Sequence, residues 1–191
     1  MKIVLVRHGP PEFKAHWLMP TKGAKDALDL YAASRVTTEI PAGMPDFRLS
    51  SDICVTSKLA RAIDSAEALG IKDSIASDIF NESELPHPNR LLIPLPWGFF
   101  LVIYRLLWLC GFSLNCAGRS MDRQRACKGS NYLSKLATEN RMVLLVGHGI
   151  MNRLLCSELK HSGWKIDNKT GSSYWSAITL SREPFGSKIA G

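Results

Sequence analysis

Short apolar runs alternate along the chain with segments whose apolar residues recur at helical spacing. The runs at 2–6, 53–56 and 142–146 are rich in valine, isoleucine and leucine, which is typical of short buried strands. The segment 174–180 carries aromatic and β-branched residues that suit a pleated surface, so we expect a fourth strand there.

Helical patterns occupy four further segments, at about 22–34, 58–69, 120–139 and 149–159. The second is the clearest, because its apolar residues recur on one face and Gly70 follows as a C-terminal stop signal. Strands that alternate with helices predict βαβ units, and therefore an α/β fold with a mostly parallel sheet.

One segment departs from this alternation, because residues 91–112 are almost wholly apolar and contain a single charged residue, Arg105. Its length would allow a membrane span, but Pro94 and Gly98 interrupt its first part. Arg105 would also cost about 2.5–3.5 kcal/mol at the centre of a bilayer. Three interpretations stay open: a helix buried in the fold or in a dimer contact, the apolar wall of a substrate pocket or of a lipid-surface contact, and a true span.

Composition narrows the choice of partners. The 191 residues include 24 Lys and Arg against 17 Asp and Glu, and the net charge of +7 favours anionic ligands such as phosphate esters. The basic residues form no dense run and are not interleaved with aromatic ones, so we expect no nucleic-acid partner. The length predicts a single domain over 1–191, with an apolar insert or cover segment at about 86–118.

The cysteines and the N-terminal residues bear on the compartment. Five scattered cysteines form no CxxC pair, which is typical of a reducing environment. Arg7 and His8 interrupt the first apolar stretch after four residues, so no signal peptide is predicted. We expect a cytoplasmic protein, with membrane association, if any, through 91–112.

Two of the apolar runs end in a glycine-flanked histidine. Arg-His-Gly at 7–9 follows the first predicted strand, and Gly-His-Gly at 147–149 follows the third. Because ligands bind at the carboxyl edge of a parallel sheet, His8 and His148 are expected to meet there. Such a pair could serve phosphoryl transfer, one imidazole as nucleophile and the other as electrostatic partner. Taken singly, each also fits a histidine at the edge of the core.

A third candidate lies where the second helix begins. Ser57 is placed as the N-cap of that helix, and Arg61 lies near its first turn. Helix N-termini favour anions, and a guanidinium there adds bidentate recognition of phosphate. The alternative for Arg61 is a solvated helix residue. Gly9 is expected to let the backbone approach a ligand closely.

These three motifs together resemble the histidine phosphatase superfamily, whose members have the phosphoglycerate mutase-like fold. The matching parts are the Arg-His-Gly opening, the Ser-x-Leu-x-Arg-Ala helix start and the late His-Gly. They cover about 1–10, 53–70 and 119–156. The resemblance implies a three-layer α/β sandwich whose mostly parallel central sheet is flanked by helices.

The resemblance also assigns roles to residues. It implies that His8 is the nucleophile and is transiently phosphorylated, while Arg7, Arg61 and His148 bind the phosphoryl oxygens. Fixed cations of this kind stabilise charge in the transition state, and we expect His148 to add a third positive donor. His8 must attack as the neutral imidazole, with an acceptor such as a backbone carbonyl fixing its tautomer.

The leaving oxygen needs a proton donor. The family takes this acid from a glutamate after the middle strands, and Glu82 in Asn-Glu-Ser-Glu at 81–84 resembles that pattern best. Glu84 is the rival, and both could be loop residues without a role. The prolines after Gly9 depart from the pattern of the mutases, which favours hydrolysis over phosphate migration.

The expected activity is therefore a metal-independent phosphomonoesterase that acts through a phosphohistidine on a phosphorylated small molecule or phosphoprotein, without a cofactor. The alternatives are a phosphoglycerate-type mutase and a non-catalytic, membrane-apposed binding module. Residues 91–112 would then mediate a dimer or a lipid-surface contact. No metal site is predicted, because the histidines do not fall at ligand spacings, although His16 and His87 could lie near the pocket.

Overall fold

The computed structural model of the protein describes residues 1–14, 18–19, 22–37, 39–44, 47–90 and 93–183. In chain order the elements are β1 (Lys2–Arg7), β2 (Leu18–Met19), α1 (Ala24–Ala33), α2 (Phe47–Ser50), β3 (Ile53–Thr56), α3 (Ala60–Ala68), β4 (Ile75–Ala76), a 3-10 turn (Asp78–Phe80), β5 (Leu95–Pro96), α4 (Trp97–Leu109), α5 (Arg119–Glu139), β6 (Met142–Gly147), α6 (Gly149–His161), β7 (Lys165–Lys169) and β8 (Ala177–Ser181).

Six of these strands form one sheet in the order β4-β3-β6-β1-β8-β7. The first four are parallel, and β8 and β7 add an antiparallel ribbon at one edge. Helices connect the parallel strands, as the alternating pattern predicts. The prediction of an α/β fold with a mostly parallel central sheet flanked by helices is confirmed.

The central strands are buried on both faces, which gives the sheet two cores. Ile3 and Leu5 of β1 lie in one core with Leu133 of α5 and residues of α6. Val4 and Val6, which point to the opposite face, lie in a second core on the side of α2 and α3. Burial on both faces explains why these strands are continuous apolar runs in the sequence.

Of the boundaries that differ from the sequence-based expectation, two bear on the candidate site. The last strand begins at Ala177, because Trp175 adopts a left-handed backbone conformation with φ 61° and the chain enters the sheet only after it. Helix α3 begins at Ala60 with Leu59 as its N-cap, so the placement of Ser57 as the N-cap is wrong. The predicted C-terminal stop is confirmed, since Gly70 follows this helix with φ 78°.

The apolar segment forms a small unit of its own beside the sheet. Strand β5 pairs with β2, and α4 continues directly from it. Phe100 of α4 is buried with Met19 and Ala24 in a third cluster, separate from the two sheet cores. The first two residues of the segment, 91 and 92, lie outside the described residues.

Helix α4 is too short to span a membrane. Its 13 residues extend over about 20 Å, whereas a bilayer core is about 30 Å thick. Across the part of the chain that the structure describes, no helix has both the length and the apolarity for such a span. The interpretation of 91–112 as a span is therefore wrong.

Candidate active site

The register of the two central strands brings His8 and His148 together. Arg7 is paired with Gly147 at the carboxyl ends of β1 and β6, and each histidine is the next residue. The two ring centroids lie 5.0 Å apart, with an angle of 61° between the ring planes. The sheet thus delivers both imidazoles to one edge, as the two strand ends predict.

The hydrogen bonding of His8 fixes its tautomer. Its Nδ1 lies 2.7 Å from the carbonyl oxygen of Gly9. Because a carbonyl can only accept, Nδ1 carries the proton, and Nε2 keeps its lone pair. The expectation that a backbone carbonyl orients this ring is confirmed.

Burial also keeps His8 uncharged. The pKa of His8 is lowered from 6.5 to about 3, chiefly by desolvation and then by electrostatic repulsion from His148 and Arg61. The imidazole is therefore neutral near pH 7. A neutral ring with a free Nε2 has the form that a nucleophile needs.

His148 is fully buried beneath this edge. Its Nε2 lies 2.7 Å from Oγ of Ser57, which in turn accepts a hydrogen bond from the backbone N–H of Leu59 at 3.2 Å. The serine hydroxyl can then donate to Nε2, which places the imidazole proton on Nδ1. That atom is buried and has no hydrogen-bond partner among the described residues.

Desolvation, followed by the charges of Arg61 and Arg7, holds the pKa of His148 well below its usual range. In the free protein the imidazole of His148 is therefore neutral near pH 7. The ring can still donate a hydrogen bond as the neutral imidazole.

Arg61 is a buried cation, with only 3% of its surface exposed. Its Nη1 donates to the carbonyl oxygens of Tyr31 and Ala32, at 3.0 and 2.8 Å. Its Nε is buried without a hydrogen-bond partner. The alternative of a solvated helix residue is therefore wrong.

Arg7 contributes a second guanidinium at the same place. It lies over the ring of Tyr174, 4.3 Å from the centroid, and Nη1 donates to the carbonyl oxygen of Ser172 at 2.8 Å. Among the described residues no carboxylate lies within 4.0 Å of the guanidinium of Arg7 or of Arg61. Two cations without a direct counter-ion favour the binding of an anion between them.

The side chain of Glu82 is bound to the N-terminus of α6, the helix that begins directly after His148. Its carboxylate accepts hydrogen bonds from the backbone N–H groups of Ile150, at 3.2 Å, and Met151, at 3.0 Å. Glu84 is exposed, and its closest described partner is the N–H of Ala117 at 3.4 Å. Both glutamates line the cavity described next, but only Glu82 is anchored to the element that carries a site histidine.

Several of these groups line a cavity of about 730 Å³. Its lining includes five of the predicted site residues and one wall from α4: Arg7, His8, Arg61, Glu82, Glu84, Leu101, Val102, Arg105 and Leu106. The buried side chains of Ser57 and His148 are not among its lining residues. His87 lines the cavity, whereas His16 lies outside the described residues. Among the described residues, no cluster of His, Cys, Asp or Glu side chains could hold a metal ion.

Gly9, the residue after His8, is also required by packing. A Cβ at Gly9 would lie 2.6 Å from Cζ2 of Trp175. Its N–H donates to Oγ of Ser65 at 2.9 Å. The glycine thus allows the Trp175 ring to pack against the turn that carries His8.

Arg105 is a site residue that the motifs did not reveal. Its guanidinium donates to the carbonyl oxygens of Ser83, at 3.0 Å, and Glu84, at 3.4 Å. It thereby ties α4 to the loop that carries Glu82. Its position as the single charge of an apolar helix is a signal that could have identified it, because even a half-buried guanidinium needs hydrogen-bond partners.

With this geometry established, known proteins provide a comparison. Neither a protein-family profile nor a curated protein sequence matches the chain. Among solved structures, a mycobacterial hydrolase superposes with a TM-score of 0.62 and 17% identity, over 97% of this chain and 92% of that one. A mycobacterial glucosyl-3-phosphoglycerate phosphatase in complex with VO3 gives a TM-score of 0.58 and 17% identity, over 94% and 92%.

A proposed α-ribazole-5′-P phosphatase from Escherichia coli gives a TM-score of 0.56 and 19% identity, over 83% of this chain and 79% of that one. These neighbours have the fold of the histidine phosphatase superfamily. The chain therefore has the phosphoglycerate mutase-like fold, as its three motifs imply.

Proposed function

We propose that the protein is a phosphatase that hydrolyses phosphomonoesters through a phosphohistidine on His8. The observation that carries the proposal is the neutral His8 ring, protonated on Nδ1, which lines the cavity together with two guanidinium groups that have no carboxylate partner among the described residues. A phosphate monoester carries between one and two negative charges at neutral pH, which Arg7 and Arg61 would balance.

In the first step, Nε2 of His8 attacks phosphorus and the bond from phosphorus to the ester oxygen breaks. Arg7, Arg61 and the Nδ1–H of His148 stabilise the charge on the equatorial oxygens. Because the arginines supply this fixed charge, the proposed route is metal-independent. The leaving oxygen takes a proton from Glu82.

In the second step, a water molecule gives a proton to the Glu82 carboxylate and attacks the phosphorus of phosphohistidine. The bond between phosphorus and Nε2 breaks, and inorganic phosphate leaves. We assign the acid and base role to Glu82 rather than Glu84, because the carboxylate of Glu82 is held by the N–H groups of Ile150 and Met151 at the N-terminus of α6. This helix begins directly after His148. Glu84 lies exposed on the other side of Ser83.

The neighbours in fold support hydrolysis, since two of the three carry the name of a phosphatase. The alternatives predict different products. A mutase would isomerise phosphoglycerate and depend on a bisphosphorylated activator, and a binding module would release no phosphate.

The test measures phosphate release from an aryl phosphate between about pH 5 and 8, followed by trapping of radiolabelled enzyme with acid-labile, base-stable phosphate. We expect release and labelling by the wild type and neither by His8→Ala. A matched variant, His161→Ala, removes an exposed imidazole from the far end of α6 and is expected to retain both. Phosphate release by His8→Ala at the wild-type rate would overturn the proposal.

A further inference from the structure

Helix α4 exposes an unusually apolar face. Of its 13 residues only Phe100 and Trp108 are buried, and five large apolar side chains are between 39% and 66% exposed: Phe99, Val102, Ile103, Leu106 and Leu109. Monomeric proteins seldom expose a contiguous apolar surface of this kind unless it binds something.

Part of this surface belongs to the active-site cavity. Val102 and Leu106 are four residues apart, so they lie on one face of the helix. Both line the cavity together with Leu101, and they are 60% and 55% exposed. An apolar wall therefore leads from the cavity out to the surface.

The wall has a fixed position relative to the reacting groups. Arg105, which lies between Val102 and Leu106 in the chain, donates hydrogen bonds to the carbonyls of Ser83 and Glu84. The loop that begins with Glu82 is thus joined directly to α4. In the proposed reaction Glu82 protonates the leaving oxygen, and Glu82 lines the same cavity, so the group attached to that oxygen lies in the cavity that this wall bounds.

We propose that the leaving group is an apolar chain that lies against Leu101, Val102 and Leu106, so that the substrate is an amphiphilic phosphomonoester. This inference rests on the proposed phosphatase function and names its substrate class. Burial of the alkyl chain of the substrate against this wall would remove both the alkyl chain and the exposed leucine and valine side chains from water. The competing outcome is a polar ester, recognised by cavity residues such as Asp29 and Asn81.

The test is the chain-length dependence of kcat/KM for ethyl, butyl, hexyl and octyl phosphate, each kept monomeric, with phosphoserine as a polar ester. We expect kcat/KM to rise about two- to fourfold for each added methylene that contacts the wall. The double variant Val102→Thr/Leu106→Gln should flatten this rise. Phe99→Gln changes an exposed side chain of α4 that does not line the cavity, and it should keep the wild-type slope.

Binding of the same esters to His8→Ala separates the two proposals. A flat series, or a preference for phosphoserine over butyl phosphate, in an enzyme that hydrolyses aryl phosphates would overturn the apolar site and leave the phosphatase function standing. Affinity that rises with chain length, without turnover of any ester by the wild type, would support the site and overturn the phosphatase function.

The alkyl chain of the substrate could belong to a free amphiphile or to a membrane lipid. Monomeric octyl phosphate and phosphatidic acid in phosphatidylcholine vesicles distinguish these sources. Turnover of either one that falls in the double variant supports the proposal and identifies the source. Equal turnover by the wild type and the double variant overturns it.

Discussion

Ser57 and His148 are joined by a hydrogen bond of 2.7 Å between the serine Oγ and the imidazole Nε2. Both side chains are fully buried, and they follow neighbouring parallel strands in which Thr56 is paired with Val146. The contact joins the turn before α3 to the turn before α6. Helix α3 carries Arg61. Ser57 therefore orients His148 instead of capping a helix.

Removal of this hydroxyl should affect both stability and turnover. In Ser57→Ala the buried Nε2 of His148 loses its partner, which is expected to lower the free energy of unfolding by about 1–3 kcal/mol. We also expect a lower kcat, because the ring and its Nδ1 proton lose their orientation. Denaturant titration and steady-state kinetics provide the two measurements.

The matched control is Ser130→Ala. Ser130 is also buried, but its hydroxyl donates only to the carbonyl of Cys127 in the same helix. This variant should keep the wild-type kcat. An equal loss of kcat in both serine variants would show that the effect at Ser57 is general and not transmitted through His148.

The lowered pKa of His8 predicts acid sensitivity of the free protein. Between pH 6.5 and about 3, the unfolded chain binds a proton at this residue that the folded chain does not. The free energy of unfolding should therefore decrease as the pH falls through this window, by about 1.4 kcal/mol per pH unit from His8. His148 adds to the loss in the same direction.

Denaturant titrations in phosphate-free buffer between about pH 8 and 4.5 test this prediction. His8→Asn should show a shallower decrease below pH 6.5, by about 1.4 kcal/mol per pH unit, and no difference in slope above it. If the two proteins lost stability in parallel, the folded-state pKa of His8 would not be depressed.

The contact between Gly9 and Trp175 makes a third prediction. A Cβ at position 9 would lie 2.6 Å from the indole ring, so Gly9→Ala must displace it. We expect the free energy of unfolding to fall by about 1–3 kcal/mol. Gly98→Ala is the control, because among the described residues no atom outside the backbone of its own helix lies within 4 Å of the added Cβ.

Chemical denaturation of both variants gives the comparison. Gly9→Ala should unfold at lower denaturant concentration than the wild type, and Gly98→Ala should not. Equal midpoints for Gly9→Ala and the wild type would mean that the Trp175 ring moves aside without loss of packing.

The sequence predicts the centre of the sheet well because both faces of its strands are buried. The bounds of β1 and β6 differ from the expectation by only one residue, since their apolar runs stop where the strands leave the core. Strand β7 could not be predicted in the same way. All five of its residues are exposed, and only its pairing with β8 makes it a strand.

The last strand shows how tertiary contacts alter a local pattern. Tyr174 and Trp175 have strand propensity, but in the structure they pack against residues of the candidate site. The ring of Tyr174 lies 4.3 Å from the Arg7 guanidinium and 5.5 Å from the His8 ring, and Trp175 packs on Gly9. Tertiary contacts thus override propensity where the chain passes the site.

The residues of the candidate site also fall into two groups, those that local motifs predict and those that only long-range contacts bring in. His8, His148 and Arg61 lie at strand ends or helix starts, so motif and topology are enough to bring them together. Tyr31 and Arg105 reach the site from α1 and α4, whose docking depends on contacts far apart in the sequence. No local spacing marks such residues.

The roles of Glu82 and Glu84 can be separated by the leaving group of the substrate. A good leaving group such as 4-nitrophenolate departs without a proton, whereas an alkoxide needs one. Glu82→Gln is therefore expected to lower kcat/KM for an alkyl phosphate by about 10²–10⁴ and to change that for 4-nitrophenyl phosphate far less. The ratio kcat/KM is the right quantity, because it reports the steps up to phosphorylation of His8 and excludes the later attack of water.

Glu84→Gln is the matched control, since it changes a carboxylate of the same loop that is exposed and only weakly bonded to Ala117. It should leave the dependence on the leaving group as in the wild type. The reverse result, a selective loss on alkyl phosphates in Glu84→Gln with Glu82→Gln unaffected, would transfer the proton-donor role to Glu84. In that case the hydrogen bonds from Ile150 and Met151 would make Glu82 an anchor for the start of α6 rather than an acid.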